Sequence, residues 1–164
     1  MFGHTFSGLL AASLVATLMS TAPILAQDTL ALEVTAQDTQ TAPTVLSLDE
    51  LDTFEQVSFK TTTIWTDGEV VFSGVPLKAL LEQLEAEGET VQLIALNDYT
   101  VSMPMSELED YAPIVATRMN GQPMKVRDKG PFWVVYPFDL DEKYRTETVF
   151  SRSIWQLNRL KVMK

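Results

Sequence analysis

An α+β domain with a mixed, β-sandwich-like arrangement and a few short helices is predicted by three observations. β-Branched and aromatic runs outnumber helical patterns along the chain, and turn residues separate them. Only one long stretch carries apolar residues at helical spacing. The alternation of strand, helix and strand that a parallel α/β sheet requires is missing.

The elements follow in order. Leu30, Leu32 and Val34 alternate with Ala31 and Glu33, a short strand. Residues 37–44 are polar and end in Ala-Pro-Thr, so they read as a loop. Ser47 with Glu50 forms a capping box and opens a short helix through about Phe54. Residues 57–65 read as a strand, Thr66-Asp67-Gly68 as a turn, and 69–72 as the returning strand. VPLKALLEQLEAEG is the clearest helix. Pro76 suits its first turn, Leu77, Leu80, Leu81 and Leu84 share one face, and Gly88 closes it. TVQLIALN and TVSMPM are strands on either side of Asp98-Tyr99, and Ser106 with Glu109 predicts a second capped helix. Asn120-Gly121 between apolar runs predicts a hairpin, with Pro123 limiting the pairing beyond it. PFWVVYPF reads as a core strand, DLDEKYRTETVF as a charged loop and SRSIWQLNRLKVM as a terminal strand.

Composition narrows the chemistry. The 164 residues make one domain, and a net charge of −10 opposes binding to nucleic acid or anionic lipid. The chain has no cysteine, which excludes disulfides, thiolate nucleophiles and thiolate-held metals. Its one histidine, His4, lies in residues 1–26, which carry no Asp, Glu, Lys or Arg and read as a cleaved export signal. Ala26 is the preferred cleavage point and Ala22 the alternative, leaving a domain over 27–164 in the periplasm. A chain without His or Cys lacks the side chains most used for catalysis near neutral pH.

Ten of the twelve basic residues lie from Arg118 onward, with only five acids among them. That basic third could hold an anionic or electron-rich ligand, or simply match the acidic remainder. Polar groups also cluster beside aromatics at strand ends. Asn97, Asp98 and Tyr99 end one strand; Arg127 and Asp128 precede Trp133 and Tyr136; Arg152 precedes Trp155. A flat heterocycle needs such an aromatic or guanidinium plane, and a carboxylate or amide for its N–H edge.

FSGVPLKALLEQL, VQLIALNDYTVSMPM, ATRMNGQPMKVRDKGPFWVVYP and SIWQLNRLKV, in that order, resemble the molybdopterin-binding domain of sulfite-oxidase-like oxidoreductases. The resemblance implies that family's mixed α+β fold. In its enzymes a cysteine ahead of the "GVPL" helix ligates molybdenum, about where Thr61, Thr62 and Thr63 stand here. A hydroxyl does not replace a soft thiolate. The chain is most similar to small exported members that bind a pterin without metal and report to a membrane signalling protein, often one controlling cyclic-di-GMP. The resemblance then implies a non-catalytic periplasmic pterin sensor with no molybdenum. Asp98 or Asp128 would accept from the pterin amino and N3 groups, and Arg127 would bind or stack on the ring. Trp133 or Tyr136 would cover a face, while Arg152 and Asn97 would reach the ring's side chain. Tyr99 and Trp155 complete the candidate set. Two alternatives stay open: a molybdenum-cofactor oxidoreductase domain or subunit, and a ligand-free interaction module.

Overall fold

The computed structural model describes residues 31–36 and 42–164; the predicted export signal lies outside them. Among the described residues, ten strands and three short α-helices follow one another. The first part comprises β1 Leu32–Thr35, β2 Thr44–Leu46, α1 Leu48–Leu51, β3 Val57–Thr62, β4 Glu69–Pro76 and α2 Leu77–Gln83. The middle comprises β5 Thr90–Ala95, β6 Thr100–Pro104, β7 Ile114–Met119 and β8 Gln122–Pro123. The last part comprises β9 Trp133–Val135, α3 Glu147–Arg152 and β10 Leu157–Met163.

The strands form two sheets. One has the order β2-β1-β10-β5-β6, and the other β3-β4-β7-β8 with β9 also on β7. All pairs are antiparallel except β1 with β10, where Glu33 lies opposite Arg159. The predicted mixed α+β class is therefore the observed one. Alternation drives the packing. β5 buries Val91, Leu93 and Ala95 and turns the intervening residues outward. A single core draws Leu32, Leu93 and Leu160 from one sheet and Phe72, Val115 and Trp133 from the other. Among the described residues no helix is long and apolar enough to cross a membrane.

Several elements differ from expectation, each for a local reason. β2 takes the last residue of the predicted 37–44 loop, Thr44, and runs on to Leu46, held by three pairs to β1. Pro76 ends β4 rather than opening a turn of helix, and Leu77 N–H donates to Pro113 O at 2.9 Å. α2 stops at Gln83 because Glu85 turns left-handed (φ 53°), letting Ala86 N–H reach back to Leu81 O. Gly88 serves close packing instead: a Cβ there would stand 2.5 Å from Val162 Cγ1 and 2.6 Å from Met163 O.

The second capped helix is replaced by a 3₁₀ turn, Met105–Glu107, behind Pro104. Glu109 is taken instead by Lys143 Nζ and the Tyr144 hydroxyl, both at 2.9 Å. The Ser47–Glu50 box forms as predicted, and so does the Asn120-Gly121 hairpin, with both residues at positive φ. PFWVVYPF pairs only over β9 and an isolated bridge from Phe132 to Leu157. The charged loop and the head of the terminal strand contain α3, capped by the Thr146 hydroxyl. Opposite charges do match internally: Arg118, Lys143, Arg152 and Arg159 pair with Asp52, Glu109, Glu107 and Asp98.

Candidate functional site

Gln156 is the knot that gathers one end of the fold. Its N–H donates to Lys129 O at 2.9 Å, its O accepts from Leu96 N–H at 2.9 Å, and its side-chain amide donates to Val126 O at 2.8 Å. The segments ending β5, preceding β9 and leading into β10 therefore meet. Three non-glycine residues there adopt left-handed backbone: Asp98 (φ 65°), Lys129 (φ 73°) and Gln156 (φ 55°). Each such conformation costs on the order of 1 kcal/mol, and such strain tends to collect at functional sites.

A cleft of about 340 Å³ opens at this end, within the size range of small-molecule sites. Trp65, Trp155 and Phe150 form its aromatic walls, Asn97 and Tyr99 its edge from the turn between β5 and β6, and Ser151, Ser153 and Gln156 its polar side. The indoles brace one another edge to face: Trp65 lies 5.7 Å from Trp155 and 5.9 Å from Trp133. Trp155 remains 40% exposed, leaving ring surface for stacking. Asn97 Oδ1 accepts from Tyr99 N–H at 3.2 Å. Among the described residues the amide N–H groups of Asn97 and the amide oxygen of Gln156 have no hydrogen-bond partner. The cleft thus offers an aromatic plane with uncommitted amide donors at Asn97 and an uncommitted amide acceptor at Gln156.

Of the predicted site residues, Asn97, Tyr99 and Trp155 line this cleft. Trp133 does not. It is fully buried, its Nε1–H donates to Ser153 O at 3.0 Å, and it offers a ligand no open face. Tyr136 is also buried, among Phe138 and Tyr144 near Met103, and burial pushes its phenol well above the ordinary value. Arg152 is bound to Glu107 at 2.5 Å, and Asp98 to Arg159, so both point their charge at protein partners. Arg127 and Asp128 occupy the 3₁₀ turn Val126–Asp128 beside Gln156; their 3.6 Å contact is a loose surface pair with 78% and 57% of the side chains exposed. Sequence reasoning left Trp65, Phe150, Ser151, Ser153 and Gln156 out of the site. Their adjacency to Trp155, or their place among three tryptophans, was the available signal.

The threonine run lies behind one wall. Phe150 lines both the cleft and a smaller hollow of about 160 Å³ bordered by Thr62, Thr63, Ile64, Phe138 and Arg145. Thr61 is fully buried and its hydroxyl accepts from Asp139 N–H at 3.1 Å. The Thr62 hydroxyl donates to Asp139 Oδ1 at 2.8 Å, and the Thr63 hydroxyl shares a hydrogen bond with Thr66 at 2.8 Å. Bonding to Thr62, with Arg145 beside it, holds the Asp139 carboxyl below the usual range. Among the described residues no group of three or more His, Cys, Asp or Glu side chains could hold a metal ion.

Comparison with known proteins agrees with this architecture. The fold matches the Sulfane Dehydrogenase SoxCD from Paracoccus pantotrophus with a TM-score of 0.59 and 18% identity. The match covers 81% of this chain but only 38% of that one, so it speaks to fold alone. No curated protein matches the chain. Residues 19–140 match the oxidoreductase molybdopterin binding domain, so the chain belongs to that family.

Proposed function

We propose that this chain is an exported, periplasmic pterin-binding protein that senses its ligand without turning it over and signals occupancy to a membrane partner. The observation that carries the reading is the threonine corner: where the resemblance puts a metal-ligating cysteine, each hydroxyl is already spent on Asp139, Thr66 or the backbone. These donors do not fit a thiolate-held molybdenum. The neighbouring cleft does fit a flat bicyclic ring. Trp155 supplies a face, the Asn97 amide a donor and Gln156 Oε1 an acceptor for the pterin amino–N3 edge. Asp128 and Arg127 are exposed on the adjoining 3₁₀ turn and would supply the carboxylate and guanidinium of the same reading. Family membership favours a second reading, a molybdenum-cofactor oxidoreductase domain.

Titration calorimetry of the mature protein with oxidised and reduced pterins tests the proposal. Saturable heat with at least one pterin supports it, and no heat with any of them refutes it. Metal analysis of protein from its native source separates the two readings: stoichiometric molybdenum would establish the second. Mass measurement of that same protein tests cleavage after Ala26 or Ala22.

A further inference from the structure

Lys129 is a cation at the cleft end with no acid to balance it among the described residues. Among the described residues, eight basic side chains pair with a carboxylate. Lys129 has none among the described residues, although the protein carries 22 acids. Its Nζ lies instead 5.8 Å from the Trp133 ring centroid and 5.9 Å from that of Trp155, the indole exposed in the cleft. The backbone fixes this placement. Lys129 is left-handed, its carbonyl is tied to Gln156, and Gly130 N–H is tied to Lys125 O at 2.8 Å. Gly130 itself admits no side chain, because a Cβ would stand 2.0 Å from Met124 O.

We infer that Lys129 is a specificity-determining contact that reads the acceptor-only edge of a planar heterocycle stacked on Trp155. This rests on the pterin reading of the same cleft and goes beyond it by naming which edge is read. An ammonium has three donors and no acceptor, so it discriminates by requiring acceptors opposite it. In an oxidised pterin that edge is O4 with N5, two acceptors side by side. Replacing O4 by an amino group puts a donor against the ammonium and leaves a charge-assisted bond unmade. The selected ligand class is therefore the 2-amino-4-oxo pteridines, against their 2,4-diamino counterparts.

The test compares 6-hydroxymethylpterin with 2,4-diamino-6-hydroxymethylpteridine on the wild-type protein and on Lys129→Met and Lys129→Arg. Wild type should bind the oxo compound roughly tenfold or more tightly. Lys129→Met should shrink that gap to about twofold, chiefly by weakening the oxo compound, while Lys129→Arg retains most of it. Urea unfolding of each variant confirms that the turn still forms. A gap of wild-type size in Lys129→Met overturns the inference and leaves the pterin reading standing. Failure of both compounds, and of every other pterin, to bind the wild type overturns both.

Discussion

Trp133→Phe separates a structural post from a ligand platform. The indole is fully buried, touches Phe72 at 5.3 Å and Trp65 at 5.9 Å between centroids, and donates to Ser153 O at 3.0 Å. Phenylalanine keeps one ring and loses the other, for a packing loss of about 1–2 kcal/mol, part of what full truncation costs. It also strands the Ser153 carbonyl, which adds about 1–3 kcal/mol. The sum is about 2–5 kcal/mol. With a slope of about 1.5 kcal/mol per molar urea, the midpoint falls by roughly 1.3–3.3 M. Far-UV circular dichroism is the proper probe, since the substitution alters tryptophan emission directly. Pterin affinity should change less than stability, because the ring offers no open face. A midpoint within about 0.3 M of wild type, with binding lost, would show that Trp133 meets the ligand and is no structural post.

Three other outcomes follow from the same geometry. Gly130→Ala forces the 126–130 turn apart at Met124 O and should lower both the thermal midpoint and any affinity of the cleft, measured by thermal shift and calorimetry. Asp139, Asp52 and Glu109 are all held below their ordinary values, chiefly by hydrogen bonds from Thr62, Arg118 and Lys143 respectively. Their stabilisation is complete above the unfolded carboxylate values and disappears as pH falls through the folded ones, so urea midpoints should decline below about pH 4, less steeply in Asp139→Asn. Tyr136 has its phenol raised by burial, so its contribution is intact below about pH 10 and is lost above it; alkaline unfolding should move to higher pH in Tyr136→Phe.

Legibility tracked the range of the interactions. The Ser47–Glu50 box and the Asn120-Gly121 turn are closed by neighbours three residues apart or fewer, and both stood out in the sequence. The Ser106–Glu109 pattern was equally clear and failed, because Lys143 and Tyr144, distant in sequence, claim Glu109. α3 has only six residues and two partly buried apolar side chains, Val149 and Phe150, too little to show a helical stripe. At the site, the three polar-aromatic segments could be named in advance and do meet at Gln156. Which of their residues face inward depends on left-handed backbone at Asp98, Lys129 and Gln156, and no local composition announces that. Residue type alone points Trp133 and Tyr136 at a ligand, whereas their places in β9 and just after it put them in the core.

The parallel pairing of β1 with β10 decides where this protein can be handled. Because the two strands run the same way, with Glu33 opposite Arg159, the polypeptide enters β1 beside Leu157, on the cleft side of the sheet. Beyond Arg159, β10 runs on to Met163, opposite Thr90 and away from Gln156. An immobilisation tag, a fluorophore or a fused reporter attached after Lys164 therefore departs from the far rim and leaves the ligand's approach unobstructed.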